Sequence, residues 1–131
     1  MTLRFVGVSS SHRKGLTTET LVNYALECAK AKALEILPSA QVELQFVSLS
    51  GKEIKHCIDC LGCLRKNTDC ILKDDRLEAV SPLIHPSPPD GVIFGAPVYF
   101  HSTNAQMRSY MERFTSLFKH AWHKHYHMPV S

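Results

Sequence analysis

Several features are missing from this 131-residue chain, and each absence removes a class of protein. No apolar run approaches the ~20 residues that a bilayer-spanning helix needs, so we expect no membrane partner. Lys and Arg are spread along the chain instead of forming a basic stripe, and the formal net charge is only +3, so we expect no nucleic-acid partner. There is no internal repeat or low-complexity tract, and the length predicts a single domain over residues 1–131.

The start of the chain lacks the apolar core of a secretory signal. Its "TLRFVGV" stretch at 2–8 is short and indicates a strand. We therefore expect a cytoplasmic protein. In a reducing compartment, clustered cysteines favour metal or redox chemistry over a disulfide framework.

Strand and helix patterns alternate along the chain. The predicted elements are a strand at 2–8, a helix at 18–37, a strand at 42–49, a Cys-rich loop at 56–73, a short helix near 74–84 kinked at Pro82, a strand at 91–100, and a helix capped by Ser102 or Thr103 that reaches Phe118. This order predicts an α/β fold with a parallel sheet, whose ligands bind at the carboxyl ends of the strands. The apolar third strand is predicted to be central and covered on both faces.

The loop "SSSHRKGLTT" at 9–18 contains neither a Walker A pattern nor G-x-G-x-x-G, which counts against an ATPase or dinucleotide site of those types. It lies between a strand and a helix, where free N–H groups and the helix dipole favour an anion. Its hydroxyls and Arg13 suit a phosphate. A solvated polar turn with a capping Thr is the alternative.

Two segments resemble the NADPH-dependent FMN reductase group of flavodoxin-like proteins. "SHRKGLTTETL" is similar to that group's phosphate loop, with His12 in place of the usual Pro and Thr17 in place of the usual Asn. "DGVIFGAPVYFHSTNAQMRSYMER", at 90–113, is similar to its flavin segment. The resemblance implies a three-layer α/β/α flavodoxin-like fold that binds FMN, of which this chain supplies about the first three strands.

The same resemblance implies the FMN-binding residues. They are Ser9, Ser11, Arg13, Lys14, Thr17 and Thr18 at the phosphate, Pro97, Val98, Tyr99 and Phe100 along the ring, and Ser102, Thr103 and Asn104 at its polar edge. For Tyr99 and Phe100, packing at the edge of the core is the alternative. No side chain is expected to act as a catalytic acid or base, because the cofactors carry the chemistry.

"CIDCLGCLRKNTDC", at 57–70, holds four of the five cysteines in the pattern C-x2-C-x2-C-x6-C. Zinc ribbons use two separated C-x2-C pairs, whereas three cysteines at three-residue steps are typical of iron–sulfur sites. We expect Gly62 to make the turn. With "ILKDD" after it, the segment resembles the iron–sulfur flavoproteins, which implies a 4Fe–4S cluster on Cys57, Cys60, Cys63 and Cys70. Zinc, a thiol relay and unligated thiols remain open.

Other polar residues receive structural interpretations. Cys28 is expected to be a small buried hydrophobe in the first helix. Asp74 and Asp75 are expected to contact the dipole of the short helix rather than form an acidic pair. The histidines near the C-terminus are expected to be solvated; they are His120, His123, His125 and His127.

The resemblance implies a flavin-dependent oxidoreductase that takes electrons from NAD(P)H or ferredoxin and reduces a quinone, oxygen, peroxide or flavin. A cluster-free FMN or quinone reductase and a non-catalytic, zinc-stabilised interaction module are the alternatives. The chain stops at "HMPVS", which resembles the entry to a fourth strand of a five-strand fold. We therefore expect an open apolar edge on the third strand, marginal stability, weak FMN binding and a homo-oligomer.

Overall fold

The structure, a computed structural model, describes residues 1–66 and 68–117. Its elements are β1 (Thr2–Ser9), α1 (Thr17–Ile36), β2 (Gln41–Ser48), α2 (Gly62–Arg65), α3 (Arg76–Val80), a 3₁₀ turn (Ser81–Leu83), β3 (Gly91–Gly95), the short strands β4 (Val98–Tyr99) and β5 (Ser102–Thr103), and α4 (Ala105–Glu112).

The three main strands form a parallel sheet in the order β2-β1-β3. The central strand β1 pairs along its full length with β2, from Thr2 opposite Gln41 to Ser9 opposite Ser48. Its second half pairs with β3. Each crossover carries helix, as a parallel sheet requires. The predicted flavodoxin-like α/β fold is confirmed.

Helix α1 covers one face of the sheet. Its buried side chains Val22 and Leu26 approach the backbone of β1 and β3 so closely that glycine is needed there. A Cβ on Gly7 would lie 2.6 Å from Val22, and a Cβ on Gly95 would lie 2.2 Å from the same side chain. These two glycines set the depth at which α1 packs on the sheet.

The opposite face carries the larger apolar core. Val6 and Val8 of β1 are fully buried there beside residues that end or follow β2. Helices α3 and α4 complete this core with Ala79, Val80, Met107 and Tyr110. Helices therefore lie on both faces of the sheet, and the carboxyl ends of all three strands open at the same edge.

Strand β3 is shorter and less covered than its sequence predicted. It ends at Gly95 instead of residue 100, and its burial alternates instead of being complete. Val92 and Phe94 are about two-fifths exposed, at 37% and 41%. Among the described residues β3 pairs only with β1, so within them it lies at the edge of the sheet.

Three other sequence predictions need correction. The cap of α4 is Asn104, whose Oδ1 accepts a hydrogen bond from Met107 N, and not Ser102 or Thr103. The helix ends at Glu112, and Phe118 lies outside the described residues. Cys28 is exposed. It follows buried Leu26 by two positions, about 200° around the helix, which places it away from the sheet.

The proline-rich segment at 81–90 is packed against the sheet. The Arg4 guanidinium, buried beneath it, donates to the backbone oxygens of Pro82, His85 and Ser87. Asp90 then accepts a hydrogen bond from Arg4 N at 2.8 Å. One side chain thus orders the whole connection into β3. In the part of the chain that the structure describes, no helix is long and apolar enough to cross a membrane.

Candidate functional site

The phosphate loop, residues 9–18, leaves the carboxyl end of β1 with a defined shape. Ser9 is fully buried at the end of the strand, and its hydroxyl accepts a hydrogen bond from Ser11 N at 3.3 Å. Ser11 in turn accepts one from Arg13 N at 3.2 Å. Gly15 has a φ of +69°, a conformation that favours glycine. The side chains of Arg13 and Lys14 are exposed beside it.

A buried carboxylate supports this loop from below. Glu19, in the first turn of α1, accepts hydrogen bonds from Gly15 N at 2.8 Å and from the Ser48 hydroxyl at 2.6 Å. Ser50 adds a bond to the backbone oxygen of His12 at 2.9 Å. Thr17 and Thr18 begin α1 just above. The sequence did not reveal Glu19, because nothing in its spacing shows that the end of β2 lies next to it.

The predicted ring-binding residues form a small exposed hairpin after β3. Val98 pairs with Thr103 and Tyr99 with Ser102. Val98 is 74% exposed and Phe100 is 98% exposed. Phe100 also has a φ of +48°, which is unusual for a residue with a large side chain. The exposure of Tyr99 and Phe100 contradicts the alternative of packing at the edge of the core, and their contact with a flavin ring stays a prediction.

The hairpin is joined to the phosphate loop by buried polar contacts. The Ser10 hydroxyl donates to Asn104 Oδ1 at 2.7 Å, and Asn104 Nδ2 donates to the backbone oxygen of Ser10 at 2.7 Å. Ser10 N also donates to the backbone oxygen of Gly95 at 3.0 Å. Asn104 is 2% exposed, so its amide serves the protein and positions the two loops. The FMN contacts of the predicted residues stay a prediction.

The four clustered cysteines line one cavity of about 220 Å³ in the cysteine loop, residues 56–73. Cys57 and Cys60 are exposed, and Cys63 and Cys70 are half-buried. All of them are free thiols. Within residues 1–66 and 68–117, no three His, Cys, Asp or Glu side chains converge closely enough to hold one metal ion.

The turn between the cysteines is not made by Gly62, which corrects the prediction. Asp59 and Leu61 have positive φ values of 52° and 57°, and Gly62 instead begins the short helix α2. Two non-glycine residues in this conformation require support from the surrounding structure. Only ordinary contacts surround Gly62, where a Cβ would lie 3.7 Å from Cys60 Sγ.

The pKa of the Cys63 thiol depends on burial and on the neighbouring cysteines. Burial raises the pKa of its thiol, and the charges of Cys70, Cys60 and Cys57 raise it further. Deprotonation of one thiol in this cavity therefore opposes deprotonation of Cys63.

The cysteine loop rises from a stem formed by residues 53–55 and 74–76. Asp74 Oδ2 accepts a hydrogen bond from Lys55 N at 2.8 Å, and Asp75 Oδ2 accepts one from Glu53 N at 2.8 Å. Asp74 also accepts one from Arg76 N at the start of α3, which is the predicted helix contact. Asp74 also forms a buried ion pair with Arg113 from the end of α4, and this larger role was not predicted.

These contacts change the acidity of the Asp74 carboxyl group. Burial alone would raise its pKa, but hydrogen bonds from Lys55 N, Arg113 and Arg76 N, with the charge of Arg113, hold the pKa below its usual range. Asp74 and Arg113 lie in the quoted "ILKDD" and "YMER" motifs. Their sequence separation hid the pairing until the fold brought them together.

Helix α4 connects the two candidate cofactor regions. Asn104 at its start contacts the phosphate loop, and Arg113 at its end contacts the stem of the cysteine loop. Between them, Gln106 donates to the backbone oxygens of Leu49 and Lys52 after β2. The predicted solvated histidines, from His120 onwards, lie outside the described residues.

The parallel sheet and the loops at its carboxyl edge define a flavodoxin-like α/β protein. Residues 3–131 match the sequence profile of the NADPH-dependent FMN reductase family, and the chain belongs to that family. No solved structure matches the chain significantly.

Three curated relatives are iron–sulfur flavoproteins. One from Methanocaldococcus jannaschii is 37% identical over 112 residues, which cover 85% of this chain and 50% of that protein. A second from the same organism is 32% identical over 111 residues, 85% of this chain and 51% of that protein. One from Methanosarcina thermophila is 31% identical over 111 residues, 85% of this chain and 52% of that protein. The chain thus spans about half the length of these relatives.

Proposed function

We propose that this chain is the FMN-binding part of a flavin-dependent oxidoreductase. The observation that carries the proposal is the junction of the phosphate loop with the exposed hairpin through Ser10 and Asn104. An anion-binding loop and an exposed aromatic surface at one sheet edge match a ligand with a phosphate and a flat ring. Bound FMN supplies hydride and one-electron chemistry.

Each part of the chain has a separate role in this proposal. Backbone N–H groups of residues 9–18 and the hydroxyls of Thr17 and Thr18 bind the phosphate, and Arg13 and Lys14 add positive charge. Pro97, Val98, Tyr99 and Phe100 cover the ring and exclude water from it. The neighbouring residues Ser102 and Thr103 bond to its polar edge. No protein acid or base is required.

The cysteine loop provides a second redox site in the same proposal. Cys57, Cys60, Cys63 and Cys70 would hold a 4Fe–4S cluster, which supplies one-electron transfer when bound. The common cavity and the charge coupling at Cys63 support this set of ligands. The names of the relatives agree with it.

A cluster-free NAD(P)H-dependent FMN or quinone reductase is the second candidate. The thiols line a cavity without converging on one point, which also suits four reduced, unligated cysteines. A zinc-stabilised, non-catalytic module is the third. It predicts stoichiometric zinc and a loss of thermal stability on chelation.

Variants that separate the two cofactors test these alternatives. Protein prepared without oxygen is analysed for flavin, iron, sulfide and zinc. Phe100→Ala should lower FMN affinity, while Tyr24→Ala, an exposed aromatic on α1, should leave it unchanged. Cys57→Ser should abolish iron binding, while Cys28→Ser should not. Flavin without iron or zinc in the wild type would favour the second candidate, and zinc without flavin the third.

The proposal also includes the cellular location of the protein, its electron donor and its electron acceptor. We infer a cytoplasmic location, where reducing conditions keep the cysteines free, as they are in the structure. NAD(P)H or ferredoxin would donate electrons to a small acceptor, which is a quinone, oxygen, peroxide or another flavin. Oxidation of NADPH and NADH compared at equal concentration would identify the donor.

A further inference from the structure

The stem of the cysteine loop is closed by contacts within the protein alone. Lys55 N donates to the Asp74 carboxylate and Glu53 N to the Asp75 carboxylate, which joins the two sides of the stem. Asp75 N also donates to the backbone oxygen of Glu53 at 3.0 Å. None of these contacts involves a cysteine. The two ends of the loop are therefore held together before any thiol binds a ligand.

Arg113 completes the closure from the end of α4. Its guanidinium pairs with Asp74 and donates to the backbone oxygens of Lys55 and Leu72, each at 3.3 Å. Lys55 directly precedes the cysteine loop and Leu72 lies near its end, so one side chain bridges the two ends of the loop. Arg113 is 3% exposed and the Asp74 side chain 1%, so water cannot replace lost partners.

A second buried arginine holds the later part of the loop. Arg76 donates to Asp69 Oδ1 at 3.2 Å, directly before Cys70 in the chain. Its other terminal nitrogen donates to the Ser116 hydroxyl at 2.5 Å. Arg76 is 1% exposed. Both arginines thus anchor the cysteine loop to the segment at the end of α4.

We propose that Arg113 is a positioning residue: together with Asp74 it closes the stem, so that the four thiols share one cavity before any metal binds. The fork geometry of the guanidinium is essential, because a lysine at 113 could pair with Asp74 but could not also reach both backbone oxygens. This inference rests on the proposed function only where it names a cluster as the eventual occupant of the cavity.

The test measures the reactivity of individual thiols in metal-free, reduced protein. N-ethylmaleimide is the probe, and mass spectrometry gives a rate for each cysteine. The main variant is the neutral pair Asp74→Asn with Arg113→Gln, which avoids leaving one buried charge alone. The rates at half-buried Cys63 and Cys70 should rise about tenfold or more, which corresponds to about 1.4 kcal/mol of lost protection. Cys28, exposed on α1, should react at an unchanged rate.

Two further variants distinguish positioning from general stability. Arg113→Lys should give intermediate rates at Cys63 and Cys70. Leu26→Ala, a cavity in the core under α1, should lower the melting temperature without changing these rates while the protein is folded, as judged by circular dichroism. The proposal is overturned if the folded neutral-pair variant keeps wild-type rates, or if Leu26→Ala raises them equally.

A second measurement addresses the occupant of the cavity. Ferrous iron and sulfide are added to the reduced wild type and to the neutral-pair variant, and bound iron is determined after gel filtration. The variant should retain less iron per chain than the wild type. If the wild type retains none, the proposed cluster is refuted, and the alkylation rates still decide the role of Arg113. Equal retention in both proteins would contradict the proposal.

Discussion

At the scale of single residues, Asn104 joins helix α4 to the phosphate loop. Its side chain caps α4 and makes two hydrogen bonds to Ser10 in the phosphate loop. Loss of a cap costs about 0.5–2 kcal/mol, and an unsatisfied buried polar group costs about 1–3 kcal/mol. We expect Asn104→Ala to lower the free energy of unfolding by about 2–3 kcal/mol and also to weaken FMN binding.

Urea denaturation and flavin titration check this prediction. Asn104→Asp keeps the accepting oxygen and loses the Nδ2 donor, so its effects should be smaller. Asn23→Ala is the matched control, because Asn23 is exposed on α1 and makes one hydrogen bond to the backbone oxygen of Glu19. It should change stability by less than about 0.5 kcal/mol. Equal effects at both positions would refute the special role of Asn104.

Two single residues, Cys28 and Gly62, show which details could not be predicted from the sequence. The sequence assigned Cys28 to the core and the turn of the cysteine loop to Gly62, and both assignments were wrong. Apolar residues lie on nearly every side of α1, so the exact direction of its buried face depends on packing against Gly7 and Gly95. The turn depends on support around Asp59 and Leu61, which no local pattern records.

At the scale of elements, the alternation of strands and helices was predictable because its periodicity is local. The strands β1 and β2 and the helix α1 match their predicted positions within one residue, and β3 begins where it was predicted. The end of β3 and the hairpin after it were not predicted, because residues 91–100 are apolar throughout. An apolar run is equally compatible with a buried central strand and with an exposed hairpin. Tertiary placement alone separates the two.

The stem of the cysteine loop makes stability depend on pH. The Asp74 carboxyl group has a lowered pKa in the folded state, so its contribution is complete above the unfolded value of about 3.9 and is lost as the pH falls through the lower folded value. We expect the wild type to lose stability steeply below about pH 4. Asp74→Asn should be less stable at neutral pH and should show a flatter profile in this range.

Urea midpoints measured between about pH 6 and pH 3 provide the test. Glu35→Gln is the control, because its ion pair with Lys32 is exposed on α1 and such pairs contribute little. It should reproduce the wild-type profile. An Asp74→Asn profile as steep as that of the wild type would show that other carboxyl groups control the acid transition.

At the scale of the whole molecule, the open edge of β3 has the widest consequence. Val92 and Phe94 are exposed on it, and both line an apolar cavity of about 360 Å³ together with Leu83, Pro88, Pro89 and Phe114. Within the described residues, β1 is the only strand that pairs with β3. An apolar edge with free hydrogen-bonding groups pairs readily with another chain, which is why natural edge strands often carry lysine.

The chain should therefore associate as its concentration rises, and a charge at the edge should oppose this association. We expect Val92→Lys to lower the average mass in sedimentation velocity and static light scattering, because pairing at β3 would bury the new charge. Ile36→Lys is the matched control, since Ile36 is 64% exposed at the end of α1, away from the edge. Its mass should equal that of the wild type. A wild type that stays monomeric at every concentration, or equal effects of the two lysines, would show that the edge of β3 does not drive association. The apolar side chains along it would then be accommodated within the single chain.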